Sequence, residues 1–395
     1  MAGREQRIAI IGAGVVGSAI AYFLAARYGV RAHLIERDPT FAGASSALSA
    51  SSIRQQFTCA VNIELSRRSW RFLTEEAPSV LAEQGVAAAF SVVERGYLYL
   101  ANEAGRADLE RNVATQQAHG VPVDRLERDA LAVRWPWLRC DDLAAGAFGR
   151  EGEGWFDGPA LHAAFLRKAR ALGVHWRVGE VVGFLERGRV VEALALADGE
   201  RLEVDQVVIA AGAWSARVLA SLGISLPVVA RKRDIFVLST PARLDQVPLV
   251  IDPSGVWFRP EGRHYIAGAP PRPQAGAPCD PDEAPLSAID HGLFDEVIWP
   301  ALAHRVPAFE ALRVETAWAG YYEMNTFDHN GLVGAWPGLA NVHLACGFSG
   351  HGMQQAPAVG EAVAELLMGR DVPWIEPLSP TRLLQGRPLH EGNVI

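Results

Sequence analysis

Cysteine is scarce in this sequence and does not cluster. The four residues, Cys59, Cys140, Cys279 and Cys346, form no CxxC pair and none sits at metal-ligand spacing from a histidine. The eleven histidines are scattered, with no HxxxH or HxH pair. These absences argue against a zinc framework and a disulfide scaffold, so the expectation is free thiols and no metal site. No Lys/Arg-rich run occurs, and the formal charge of −8 excludes a phosphate-tracking, nucleic-acid-binding surface. Low-complexity stretches and internal repeats are also missing. One long charge-free run exists, the 19 residues from Ile8 to Ala26. Its glycines at 12, 14 and 17 break it into a strand and a helix, so it is not read as a membrane span. With seven residues before it and no small-residue cleavage site in a suitable place, no export signal is expected and the location is read as cytoplasmic.

What is present is enough apolar sequence, 49 % of 395 residues, for two large domains. The apolar run up to Ile11 reads as a buried parallel strand. Gly12-Ala13-Gly14-Val15-Val16-Gly17 follows, then a helix over 15–28 and a second strand ending at Glu36. This is a dinucleotide fingerprint in its required context. Gly12 permits the tight turn, Gly14 admits a pyrophosphate, and Gly17 lets helix and strand pack. Val15 and Val16 present the first helical amides, which carry positive partial charge. Glu36 can accept from the adenosine ribose, with Arg37 beside it. An acid there disfavours a 2′-phosphate and leaves FAD or NAD.

The segment from Phe41 to Phe57 is rich in serine and alanine and reads as a ligand-lining loop, with Ser45, Ser46, Ser51 and Ser52 as hydroxyl donors. Arg54, the one charge in it, suits a carboxylate; a surface salt bridge is the alternative. Near the other end, Cys346-Gly-Phe-Ser-Gly-His-Gly is a second glycine loop between a strand over 341–345 and a helix over 353–367. That helix N-terminus would stabilise negative charge on a reduced flavin, which favours FAD. Between the two grips, helices are expected over 62–76, 159–172, 286–294 and 297–304. Strands are expected over 89–100, 146–148, 181–185, 190–197, 207–209, 228–237, 256–259, 264–269 and 313–319, and a mobile loop over 270–285. The fold class is mixed α/β: a Rossmann-like cofactor domain (1–88, 152–215 and 322–395) interleaved with an antiparallel-sheet substrate domain (89–151 and 216–321).

The stretches "GAGVVGSAIAYFLA", "SSALSASSIRQQ", "GWFDGPAL", "VVIAAGAWS" and "LACGFSGHGMQQAPAVGEAVAELL" together resemble the D-amino-acid-oxidase superfamily of FAD enzymes, in the branch of sarcosine oxidase and dimethylglycine dehydrogenase. "YYEMNTFDHNGLVG" adds a likeness to the FAD-dependent oxidoreductase-domain proteins linked to respiratory complex I. The resemblance implies FAD and hydride transfer to flavin N5 from the carbon beside a neutral amine, giving an imine. The expected substrate is an N-substituted or cyclic amino acid. It places Val181 at the adenine, Ala211, Gly212 and Trp214 at a second close approach, and Gly350, His351, Gly352 and Met353 at the pyrimidine edge. Arg54 matches a carboxylate-holding arginine whose lysine partner is here Gln354. Ile266 stands where an oxygen-activating lysine would fall, so the resemblance implies a protein or quinone as the electron acceptor instead of oxygen. Tyr321 and Ser49 stand where covalent flavin links would form, so FAD is expected to be non-covalent. His351 is read as ordering the loop rather than as an acid or base. Tyr322 is read as a pocket wall, Trp257 and Arg259 as facing the flavin, and Lys232 and Arg233 as a solvated strand end with substrate contact as the alternative. A flavoprotein assembly factor with little turnover, and a 2-hydroxy-acid dehydrogenase, are the alternative functions.

Overall fold

The computed structural model describes residues 6–272, 277–279, 282 and 285–393. Much of the expected 270–285 loop therefore lies outside the described residues. The fold is mixed α/β, built on two large sheets.

The first sheet starts from β1 (Ile8–Ile11), α1 (Val15–Tyr28) and β2 (His33–Glu36). All four β1 side chains are buried, as expected for a strand covered on both faces. After α2 (Ala60–Arg71) and α3 (Gly158–Ala171), the chain adds β3 (His175–Val178) and β4 (Gln206–Ile209). It then leaves for the second sheet, through β5 (Val228–Ser239) and β6 (Arg313–Asn325), and returns as β7 (Leu332–Ala335), β8 (Val342–Cys346) and α4 (Gly352–Leu367). The first sheet has the order β7-β8-β4-β1-β2-β3, parallel except for the β7–β8 pair. Its central neighbours β1, β4 and β8 come from three distant parts of the sequence. All three end towards the cavity described below.

Helices α1 and α4 pack at very close range. A side chain at Gly360 would put its Cβ 2.6 Å from the Cβ of Ala19. The small residues of α4, Ala356, Ala358, Ala362 and Ala364, are all buried in the same core. The second sheet has eight strands in the order β6, β5, His264–Gly268, Trp257–Glu261, Leu249–Ile251, Tyr97–Ala101, Ala145–Gly149 and Val123–Glu127. Its pairs are antiparallel except Leu249–Ile251 with Tyr97–Ala101. A separate three-stranded meander (Val181–Arg187, Val190–Leu196, Arg201–Glu203) lies between β3 and β4 in the chain.

Several expected elements differ. The strand placed over 89–100 begins only at Tyr97, because the preceding stretch is irregular with isolated bridges. Helices Arg106–Ala118 and Arg128–Arg134 and strand Val123–Glu127 were not expected. Strand β6 runs on past Ala319 to Asn325, since it pairs with β5 over its whole length. The helix expected from Leu286 starts at His291, where the Asp290 carboxylate caps the Leu293 amide.

Candidate functional site

One cavity of about 490 Å³ runs between the ends of the two glycine loops and against the second sheet. Its first end is the turn after β1. Gly12 has φ +97°, and a Cβ there would lie 2.4 Å from the Ala210 carbonyl oxygen, so only glycine fits. The Gly12 amide donates to Ile35, locking β1 to β2. Gly17 does not line the cavity. A Cβ at Gly17 would sit 1.9 Å from the Gly12 carbonyl oxygen, so its task is to let α1 close on the turn. Gly14, Val15 and Val16 do line it, and the Ser46 hydroxyl accepts from the Val15 amide at 2.9 Å. Glu36 accepts from the Ala13 amide at 2.9 Å and the Asp38 amide at 3.0 Å. His162 and Ser18 donate to the Ala13 carbonyl, fixing the peptide between the glycines.

This end is closed by a polar cluster. The Arg37 guanidinium lies 4.7 Å from the Trp214 ring centroid, and Asp282 accepts from Arg37 and from the Trp214 indole, each at 2.7 Å. The Asp282 carboxyl is held down at about 2 by Arg37 chiefly, with Trp214 and Arg217 adding to it. Val181, Ala211 and Gly212 line the same region, Gly212 with φ +54°. The serine loop forms one wall: Ser45, Ser46, Ser51 and Ser52 all face the cavity, and Ser45 donates to the Tyr321 carbonyl at 2.6 Å.

The second end is the loop before α4. Gly350, His351, Gly352, Met353 and Gln354 line it. Gly350 has φ +95°, and a Cβ there would lie 2.5 Å from Tyr322, so loop and aromatic wall touch. The Glu323 carboxylate accepts from the Gly347 amide at 2.8 Å and so holds the loop from beneath. Burial raises its pKa to about 7, against the pull of the Gly347 and Phe348 amides.

Arg54 also lines the cavity, and its Nη donors are engaged by protein groups. It is neither a surface ion pair nor a free clamp. Its side chain is buried, with its guanidinium 4.0 Å from the Phe57 ring centroid. It donates to the Gln56 carbonyl at 2.6 Å and to the Asn393 carbonyl, and it lies 3.2 Å from His351 Nε2. A guanidinium only donates, so His351 Nε2 accepts and the ring proton sits on Nδ1. Burial, then the adjacent Arg54 charge, pushes the His351 pKa well below its ordinary value. His351 is thus a neutral, loop-ordering residue. Gln354 Oε1 accepts from the Arg54 amide at 2.9 Å, so it holds the backbone of Arg54 rather than reaching for a ligand.

Two further carboxylates surround Arg54. Glu153, fully buried, accepts from the Gln55 amide at 2.6 Å and the Gln56 amide at 3.0 Å. Glu391 accepts from the Thr58 amide at 2.9 Å, the Cys59 amide at 3.2 Å and Asn62 at 2.9 Å. The C-terminal segment is therefore tied to the start of α2.

The second sheet supplies the wall facing the glycine loop: Tyr97, Leu249, Trp257, Ile235, Arg233 and Tyr322. Lys232 and Arg259 are not on it. The Lys232 ammonium donates to the Ala288 carbonyl, and Arg259 reaches the Ala50 carbonyl at 2.6 Å. Tyr97 and Glu323 escaped the sequence reading, and Arg233 borders the cavity, which agrees with the alternative given for it rather than with a solvated strand end. Strand alternation puts residues on faces, but which face meets the glycine loop depends on a pairing between strands about ninety residues apart.

The donor set fits an extended dinucleotide. A helix N-terminus with glycine-only approach stands at one end, an acid and a stacked tryptophan beside it, and a second glycine loop opening a helix at the other. The family described as FAD dependent oxidoreductase (DAO) matches residues 7–366. A relative, FAD-dependent oxidoreductase domain-containing protein 1 of Xenopus laevis, is 39 % identical, the match covering 98 % of this chain and 84 % of that protein. Among solved structures, L-proline dehydrogenase from P. horikoshii has a TM-score of 0.84 at 27 % identity, covering 98 % of this chain and all of that one. Glycine oxidase from Geobacillus kaustophilus has a TM-score of 0.80 at 26 % identity, covering 95 % of this chain and 98 % of that one. The chain belongs to the DAO family of FAD-dependent oxidoreductases.

Proposed function

We propose that the protein oxidises the C–N bond of an N-substituted or cyclic amino acid to an imine, which water then hydrolyses. The observation that carries this reading is the single cavity that joins both glycine loops to an aromatic wall of the second sheet. The two neighbours named L-proline dehydrogenase and glycine oxidase support an amino-acid substrate. Gly12, Gly14, Val15, Val16, Glu36, Arg37, Val181, Ala211, Gly212 and Trp214 would hold the ADP portion. Ser45, Ser46, Ser51, Ser52 and residues 350–353 would hold the flavin portion, while Gly17 acts from behind. Bound FAD would supply the hydride-accepting chemistry.

The chain's own part is to bind, orient and dry the substrate. His351 is committed to Arg54 and Glu323 to the glycine loop, so neither is placed as a base. The substrate amine therefore binds neutral. Ser49 and Tyr321 line the cavity and can form neither a histidyl nor a cysteinyl link, which supports non-covalent FAD. Ile266 is buried and apolar, which favours a protein or quinone acceptor over oxygen. In this reading segments 1–88, 152–215 and 322–395 serve the cofactor, and 89–151 and 216–321 the substrate.

The test is anaerobic mixing of the FAD-replete protein with a panel of N-methyl and cyclic amino acids. Loss of the yellow flavin absorbance with at least one of them is expected. An unchanged spectrum across the panel would overturn the reading.

A further inference from the structure

With Arg54 engaged by backbone carbonyls and His351, the cavity needs another group to recognise a substrate carboxylate. We infer that Arg233 is that group: its guanidinium, on the aromatic wall beside Tyr322, binds the carboxylate and makes the site selective for amino acids over plain amines. This inference rests on the amino-acid reading above and deepens it.

Arg233 lies on β5 and lines the cavity. Register puts Gly320 directly across from it and Tyr322 across from Arg231. The Arg233 guanidinium leans diagonally over Tyr322, 4.9 Å from the ring centroid. Among the described residues its one hydrogen bond is from Nη1 to the Lys232 carbonyl at 3.1 Å, and its Nε is buried without a partner.

No acidic side chain among the described residues forms an ion pair with Arg233. Arg231, two positions away, adds like charge, and its Nε is also buried without a partner. The nearby Asp234 faces Lys232 at 3.5 Å and the Asp290 amide at 3.1 Å instead. A largely buried cation without a counter-ion is costly unless a ligand brings one. The guanidinium fork matches a carboxylate in two parallel hydrogen bonds.

Position separates this cation from the phosphates of a bound cofactor. Tyr322, on which Arg233 rests, abuts Gly350 of the second glycine loop, whereas the first glycine turn, which would hold the ADP portion, lies at Gly12–Gly14. Asp234 also borders the cavity beside Arg233, with its carboxylate turned to Lys232 and the Asp290 amide, and Ile235, Leu249 and Trp257 add an apolar or aromatic wall that suits a compact or cyclic side chain.

The experiment titrates FAD-replete wild-type, Arg233→Gln and Arg233→Lys protein with pyrrole-2-carboxylate and with its neutral isostere pyrrole-2-carboxamide. Binding is read from the flavin visible spectrum. In the wild type the carboxylate should bind more tightly than the amide. In Arg233→Gln it should weaken roughly 30-fold or more, while the amide changes less than about threefold. Arg233→Lys, which keeps charge but not the fork, should fall between. The flavin-to-protein ratio should stay the same in all three. Equal carboxylate affinity in wild type and Arg233→Gln, equal weakening of both probes, or no carboxylate preference in the wild type would each overturn the assignment. Anaerobic bleaching by amino acids reports separately on the reaction. Bleaching with an unaffected Arg233→Gln titration removes the anchor and keeps the oxidation. A lost carboxylate preference without bleaching keeps the anchor and removes the oxidation.

Discussion

Glu153 and Glu391 are both buried near Arg54 yet shift in opposite directions. For Glu153 burial dominates and lifts the pKa to about 7, although Gln55, Gln56 and Arg54 favour the charged form. For Glu391 burial also opposes charge, but Arg54 and then Asn62 and the Thr58 amide prevail and hold it below its ordinary value. The consequences for stability have opposite signs. Between about 4.5 and 7 folded Glu153 keeps a proton that the unfolded chain has released. Its contribution is therefore complete below that window and lost as pH rises through it, with a slope of at most about 1.4 kcal/mol per pH unit. Urea denaturation at intervals between about pH 5 and 8 should show that slope added to the one from Glu323 in the wild type, and a flatter profile with only the Glu323 part in Glu153→Gln. An unchanged profile in the variant would place the proton elsewhere. Also at this scale, Gly17→Ala must push α1 away from the first turn, because the new Cβ meets the Gly12 carbonyl oxygen at 1.9 Å. A loss of roughly 1–3 kcal/mol of stability is expected. FAD affinity should fall tenfold or so with it, measured by thermal melting and by free flavin after gel filtration.

Among elements, the α1–α4 contact gives a prediction in which two effects compete. Gly360→Ala gains about 1 kcal/mol of helix propensity. It also drives a methyl to 2.6 Å from the Ala19 Cβ and 2.9 Å from its backbone carbon, which forces the helices apart. Overpacking of this kind costs roughly 1–3 kcal/mol, so the net effect should be destabilising and visible as a lower Tm with weaker FAD retention. A variant more stable than the wild type would mean that the helices separate freely. These two helices, and β1, β2 and β8 beside them, were legible in the sequence because their signals are local: an apolar run, glycines, then a helical stretch. Helix Arg106–Ala118 was not. Its buried residues are Leu109, Val113 and Gln116, a helical spacing, but the third is polar and the stripe is thin. The irregular 89–96 stretch carries β-type residues and still does not become a strand: the strand beside it, Gly154–Trp155, is two residues long and pairs with it only through a bridge at Val93. The two glycine loops could be read residue by residue. For Arg54, Gln354 came into view only through the family resemblance, and the contacts with His351 and Asn393 did not, because they lie about 300 residues away and the tail had no motif to announce it.

At the level of the whole molecule, that tail fastens the C-terminus to the start of α2 and to Arg54. Cutting the chain after Pro388 removes the acceptor for the Thr58 and Cys59 amides and for Asn62, and it leaves Arg54 facing fewer carbonyls. Loss of one side of such a buried network costs roughly 3–5 kcal/mol, a fall in Tm of about 4–6 °C for a chain this long. The acid limb should change too. Glu391 contributes above the ordinary carboxylate range and is lost as pH falls, so the truncated protein should be less sensitive to acid relative to its own neutral value. An unaltered melting temperature after truncation would show that the tail only rests on the surface.

The order of the parallel sheet has a consequence for biosynthesis. Strand β4 sits between β1 and β8, and β8 leads directly into the second loop. A nascent chain on the ribosome displays its N-terminal fingerprint hundreds of residues before that partner strand is translated. Premature termination anywhere ahead of residue 342 therefore yields a fragment whose parallel sheet stops at β4 and whose ligand would be held at one end only. Flavin capture must be a late event in the life of each molecule, and quality control by proteolysis should remove incomplete chains as cofactor-free species.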